Sequence, residues 1–69
     1  MVTISGTGKS RGFGRNKKTI LELRGLSTDR SELVDEVNGI KFDNGSVFIE
    51  IDTGKIYMYN LDNTTWVEI

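Results

Sequence analysis

Residues 46–69 read SVFIEIDTGKIYMYNLDNTTWVEI. Three runs in this stretch, SVFIEI (46–51), KIYMYN (55–60) and TTWVEI (64–69), are rich in β-branched and aromatic residues, the types that fit a pleated, half-buried surface. DTG and LDN separate them, and both carry turn chemistry. The stretch predicts a small three-stranded antiparallel meander at the C-terminus, and with it a mainly β fold. Its first turn admits two registers. Gly54 suits the left-handed position of a three-residue loop with a bulge. A two-residue Thr53-Gly54 loop would shift the pairing by one and exchange every cross-strand neighbour.

Upstream, KKTILELRG (17–25) reads as a short strand in which Ile20, Glu22 and Arg24 alternate against Thr19, Leu21 and Leu23, with Gly25 ending the run. STDRSELVDEVNG (27–39) supports two readings. Asp29 followed by Glu32 fits a capping box, and Leu33, Val34 and Val37 would form one stripe before a stop at Gly39. The other reading is a loop or single turn, because so short a helix is marginal without packing. Ahead of both, Gly6, Gly8, Gly12 and Gly14 crowd into nine residues. Glycine at that density is costly to order, so this segment reads as an extended basic arm that a partner would order. The predicted organisation is an arm at 1–18, a strand plus loop or short helix at 19–43, and the meander at 44–69. At most one short helix is expected.

At 69 residues, 36% of them hydrophobic, the chain is one domain near the lower size limit for a single core. At roughly 25 cal/mol per Å², its burial barely offsets the entropy of folding. There is no Cys and no His, which removes disulfides, thiolate metal sites and the commonest general base. No catalytic residue, metal or cofactor is predicted. Association with other chains is the remaining source of stability. No apolar run approaches the ~20 residues of a membrane helix, and MVTISGTGKS lacks a signal-peptide core. A soluble, intracellular product without a membrane partner is expected.

Charge divides along the chain. Residues 1–24 carry Lys9, Arg11, Arg15, Lys17, Lys18 and Arg24 against Glu22, a net of +5, whereas residues 25–69 carry -6. Such asymmetry points to an acidic partner for the arm, either nucleic acid or the acidic half of another copy. Within the arm, GTGKS resembles the end of a P-loop, but the residue five before Gly8 is Thr3 and no strand precedes it. KSRGFG resembles the start of an RNA-recognition octamer, yet Arg15 and Asn16 stand where aromatic and strand residues belong. Phe13 is better read as an anchor for a neighbour's apolar pocket than as a base-stacker. The predicted docking residues are Lys9, Arg11, Phe13, Arg15, Lys17 and Lys18.

Glu50 and Asp52 share a strand face but read as solvent-facing acids rather than a catalytic pair. Tyr57, Tyr59 and Trp66 could form a surface aromatic patch for a sugar or base, although a small meander needs such rings for its own packing. Asp43, Asp52 and Asp62 fall in turns, where carboxylates bind backbone more often than Ca²⁺.

The stretch 44–69 carries the pattern G-S-x-F-x-E-I-D-T-G-K-x-Y-x-Y followed by a Trp, through Gly45, Ser46, Phe48, Glu50, Ile51, Asp52, Thr53, Gly54, Lys55, Tyr57, Tyr59 and Trp66. In this it resembles a group of small proteins from tailed bacteriophages of Gram-positive hosts, and LRGLSTD (23–29) resembles the lead-in found in them. The resemblance covers a little over half of the chain and leaves out the arm. It implies a structural component of the virion and not an enzyme, with other copies of itself and capsid or tail proteins as partners in a symmetric assembly. The alternatives are a nucleic-acid-binding accessory protein using the basic arm, or a tail or fibre module that meets host glycans.

Overall fold

The computed structural model describes residues 2–14 and 17–69. Strands dominate them: β1 (Thr3–Arg11), β2 (Lys18–Gly25), β3 (Glu36–Val37), β4 (Ile40–Phe42), β5 (Val47–Glu50), β6 (Ile56–Asn60) and β7 (Thr65–Glu68), with one helix, α1 (Ser27–Glu32). All seven strands join a single mixed sheet. No helix among the described residues is long and apolar enough to cross a membrane.

β2 is the centre of the sheet, and its alternation decides what is inside: Thr19, Leu21, Leu23 and Gly25 are buried while Glu22 and Arg24 are exposed. β1 runs antiparallel along one whole edge of β2, from Thr3 opposite Arg24 to Arg11 opposite Lys18. β4 and β5 therefore share the other edge, and both run parallel to β2. β3 pairs with β4, β6 with β5 and β7 with β6, all antiparallel. Parallel neighbours need a long crossover, and residues 26–46 supply it through α1 and the β3–β4 hairpin.

Between β4 and β5 the chain leaves the ladder through residues 43–46, with Gly45 at φ 89 and the Ser46 N–H donating to the Asp43 carbonyl (3.2 Å). This break would orphan backbone groups of β2. Two contacts prevent that. The Asp43 N–H donates to the Thr19 carbonyl (3.1 Å), and the Ser46 hydroxyl accepts from the Leu21 N–H (3.1 Å). Ser46 is completely buried, so its hydroxyl replaces the missing backbone partner where water cannot.

The core lies on one face of the sheet. Leu21, Leu23, Val37, Phe42, Phe48 and Tyr59 are buried there, and the half-buried Trp66 packs edge-on against Phe42, Phe48 and Tyr59 at 5.2, 5.9 and 5.0 Å between ring centres. Such T-shaped pairs add to simple area burial. The polar tips of two rings hold the chain that leaves α1: the Tyr59 hydroxyl donates to the Val34 carbonyl (2.8 Å) and the Trp66 indole N–H to the Leu33 carbonyl (3.1 Å).

Four expectations are corrected. Thr3–Arg11, read as part of an extended arm, is an edge strand of the fold. Glycine offers nothing to pack, which argued for disorder, but the open edge of β2 supplies a ladder of hydrogen bonds. Two bulges, between Ile4 and Gly6 and between Thr7 and Ser10, twist this edge and so discourage further strands from pairing with it. The helix ends at Glu32 rather than at Gly39. Asn38 (φ 50) and Gly39 (φ 80) instead form the two-residue turn between the paired Val37 and Ile40, the Asn-Gly hairpin that left-handed backbone favours. The β5–β6 turn has neither expected length. Glu50 pairs with Lys55 and accepts from the Gly54 N–H (2.8 Å), giving a four-residue loop with Gly54 left-handed at φ 76. Tyr59 and Trp66, finally, do not form a surface patch with Tyr57, because the small core needs their area.

Candidate functional site

Two clusters of polar residues stand out, one at the β1–β2 hairpin and one where α1 meets the β5–β6 loop. The hairpin carries the predicted docking set, of which Arg15 lies outside the described residues. Phe13, at its tip, is 92% exposed between Gly12 and Gly14, both with positive φ (88 and 58). Lys9, on β1, and Lys17, just before β2, are exposed as well. Arg11 is already engaged: its guanidinium donates to both oxygens of Asp43 at 2.7 and 2.8 Å. That hydrogen bond raises the Arg11 pKa and holds the Asp43 carboxyl below its ordinary value. The arginine side chain is 64% exposed, so solvent screens the pair and its contribution is modest. Geometrically it clips the end of β1 to the 43–46 bulge. A hydroxyl pair, Ser10 with Thr19 at 2.8 Å, closes the same end.

Below the tip, the β1–β2 hairpin and the β3–β4 hairpin diverge and leave an open cleft of about 630 Å³. Thr7, Gly8, Ser10, Gly14, Lys17 and Thr19 line one side, and Glu36, Gly39, Ile40 and Lys41 the other. Glycine walls bring bare backbone to the surface, and Lys17, Lys41 and Glu36 supply charge of both signs. This chemistry suits binding an extended, charged segment. Glu36 and Lys41 had no place in the predicted set. The Asn-Gly at 38–39 was the available signal, since a hairpin there pairs Glu36 with Lys41.

The second cluster corrects the reading of Glu50 as a solvent-facing acid, whereas Asp52 is exposed as expected. Glu50 is 1% exposed. One of its oxygens accepts from Arg30 and the other from the Thr53 hydroxyl (2.6 Å). The Thr53 bond, then the Arg30 bond, depress its pKa. Asp52 accepts from both the backbone N–H and the hydroxyl of Ser27 (3.0 and 2.8 Å), and the Ser27 hydroxyl bond lowers its pKa. Arg30 also lies over the Tyr57 ring, 4.0 Å from its centre, a cation–π contact. At the start of α1 the Leu26 N–H donates to Asp29 (3.0 Å). These contacts pin a six-residue helix that buries no side chain of its own.

Residues 23–29 and 44–69 therefore meet here, through Ser27 and Asp52. Glu50, Asp52, Thr53 and Gly54 serve folding, and Ser46 does the same at the bulge. Asp43 also binds its neighbour's backbone, accepting from the Asn44 N–H (2.8 Å). Among the described residues no group of three or more acids is placed to hold a metal ion.

No protein-family model, curated protein or solved structure gives a significant match to this chain.

Proposed function

We propose that the chain is a structural component of a bacteriophage particle, a minor head-associated protein of the decorating or cementing kind, which docks through its N-terminal hairpin. The observation that carries this reading is the display of Phe13. An aromatic held clear of its own fold between two glycines, on a hairpin that also exposes Lys9 and Lys17, is suited to entering an apolar pocket with an acidic rim. In this reading residues 44–69 act as the compact meander, the β1–β2 hairpin reaches outward, and the adjoining cleft receives an extended segment of a shell subunit. Each contact is weak, and a symmetric shell multiplies it. The protein would be made in the host cytoplasm and end in the virion.

The test is occupancy on purified particles. Wild-type protein added to stripped shells should bind in a fixed copy ratio and raise their melting temperature. Phe13→Ala should lower occupancy at least tenfold while leaving the circular dichroism spectrum unchanged. Shells that melt identically with and without the protein would refute a cementing role. Binding to duplex DNA instead, falling with salt at a slope near -0.9 per neutralised phosphate, would favour the nucleic-acid alternative. That alternative is weakened by Arg11, which already turns its Nε and one terminal nitrogen to Asp43. The glycan alternative loses its platform, since Tyr59 is buried and the Trp66 N–H is bound within the fold.

A further inference from the structure

The pair Asn-Gly occurs twice in the chain, at 38–39 and 44–45, and the fold treats the two oppositely. An asparagine followed by glycine can lose its side-chain amide without an enzyme. The glycine nitrogen attacks the side-chain carbonyl carbon, which requires both groups to be free and brought together. At 44–45 both are tied. The Asn44 side-chain oxygen accepts from the Leu61 N–H (2.6 Å), and the Gly45 N–H donates to the Tyr59 carbonyl (3.2 Å). The buried Ser46, bonded to the Leu21 N–H (3.1 Å), fixes the residue that follows. At 38–39 both are loose. Asn38 and Gly39 are exposed, and among the described residues neither the Asn38 side chain nor the Gly39 N–H has a hydrogen-bond partner.

We propose that Asn38 is a site of spontaneous deamidation, carried by a turn that already lies close to the reacting geometry. With φ 50 at Asn38 and 80 at Gly39, the β3–β4 connection is the hairpin turn in which both central residues are left-handed, type I′. Type II′ matches the strand twist equally well and keeps the first φ near 60°, but sets the first ψ at about −120°. In an L residue that ψ eclipses the Cβ with the next backbone nitrogen, the arrangement a five-membered ring needs. Rotating the one peptide unit between Asn38 and Gly39 converts the first turn into the second. Glycine accepts either sign of φ, and a Cβ at position 39 would meet nothing within 4 Å, so the rotation is unobstructed. Val37 and Ile40 stay paired across it. At 44–45 only the glycine is left-handed (φ 89). That is the pattern of a type II turn, whose first ψ of about +120° holds the two atoms apart.

Ring closure joins the Gly39 nitrogen to the Asn38 Cγ, and the side-chain amide leaves as ammonia with the proton from that nitrogen. Water then opens the cyclic imide. Cleavage at the side-chain carbonyl gives aspartate, and cleavage at the backbone carbonyl gives isoaspartate, whose chain runs through Cβ. Gly39 lines the cleft beside Glu36, Ile40 and Lys41. Either product adds a carboxylate to this lip, and isoaspartate also lengthens the turn by a methylene. An aged molecule therefore presents a more acidic cleft than a newly made one. The proposal is independent of the docking role of Phe13.

Trypsin cuts after Arg30, Lys41 and Lys55 and so places the two pairs on separate peptides, 31–41 and 42–55. The full chain is incubated folded in neutral buffer and, in parallel, unfolded in guanidinium chloride, then digested and followed by mass spectrometry. In the folded chain, peptide 31–41 should change from amide to acid at least about tenfold faster than 42–55, because Asn44 must first break two hydrogen bonds. In denaturant the two rates should converge. Chromatography should resolve isoaspartyl and aspartyl forms of 31–41. The proposal is overturned by equal rates in the folded chain or by an Asn38 that keeps its amide. It is overturned as well by a preference for Asn38 that persists in denaturant, or by aspartate formed without isoaspartate.

Discussion

Along β5 and β6 successive residues point to opposite sides of the sheet and meet opposite fates. Phe48 and Tyr59 turn to the side that Trp66, Phe42 and the chain after α1 close, and are 0% and 2% exposed. Ile56 and Met58, both on β6, turn to a side that none of the described residues covers. The closed side is aromatic and its polar tips reach backbone carbonyls, so it positions the crossover as well as burying area. The open side is aliphatic along β5 to β7, and β2 places Lys18, Glu22 and Arg24 on it. The same alternation thus gives a closed face and an open one, and the connection through α1 decides which face becomes which.

Mutating the two faces in parallel gives the largest expected contrast. Phe48→Ala should destabilise the chain by about 3–5 kcal/mol, the range for emptying a buried aromatic site. Met58→Ala should cost under about 1 kcal/mol in urea unfolding, since Met58 is 43% exposed and already half in water. Equal losses would mean that the outer face is as well packed as the core. Next in size is Ser46→Ala, which leaves the Leu21 N–H without an acceptor in a dry site and should cost about 1–3 kcal/mol. A neutral result would show that β2 does not depend on the hydroxyl to bridge its broken parallel ladder.

Acid should act on the ties of the fold more than on its outer face. Asp43, Glu50 and Asp52 all have folded pKa values below their ordinary ones, through Arg11, through Thr53 and Arg30, and through Ser27 respectively. A depressed carboxylate contributes stability that is fully present above its unfolded pKa, near 4, and is lost as pH falls through the folded value. Urea midpoints should hold steady down to about pH 5 and fall below about pH 4. In Asp43→Asn the fall should be smaller than in the wild type. The smallest effect belongs to the hairpin loops. Thr64 sits at φ 51, where Gly54 sits in the matching four-residue loop. Thr64→Gly should relieve about 1–2 kcal/mol of left-handed strain against about 0.5–1 kcal/mol of added chain entropy, a net gain readable as a slight rise in Tm.

Much of the strand content was legible. TILEL and the aromatic runs after residue 46 alternate cleanly, and Gly54 was recognisable as a left-handed turn residue from its place after Asp-Thr. The glycines before residue 14 misled because they suit both a loose arm and a close-packed, bulged edge strand, and local sequence does not separate the two. Asn38-Gly39 was misread as a helix stop although that pair is a strong hairpin signal. Of the candidate site, the exposure of Phe13 could be expected from its glycine neighbours. The engagement of Arg11 by Asp43, 32 residues away, could not. Nor could the burial of Glu50, which depends on Arg30 reaching it from a helix whose existence was itself in doubt.

By itself the sequence determined local conformation: which stretches prefer to be extended, where turns require glycine, and that too little apolar area exists for a large core. These follow from the sterics and solvation of neighbouring residues. The tertiary structure alone decided that β2 would pair in parallel with β4 and β5 across a crossover, that Ser46 would stand in for backbone, and that one face would close while the other stayed open. Those outcomes depend on contacts between residues distant in the chain, where the free energy of a hydrogen bond or a packed ring exists only once both partners have been brought together.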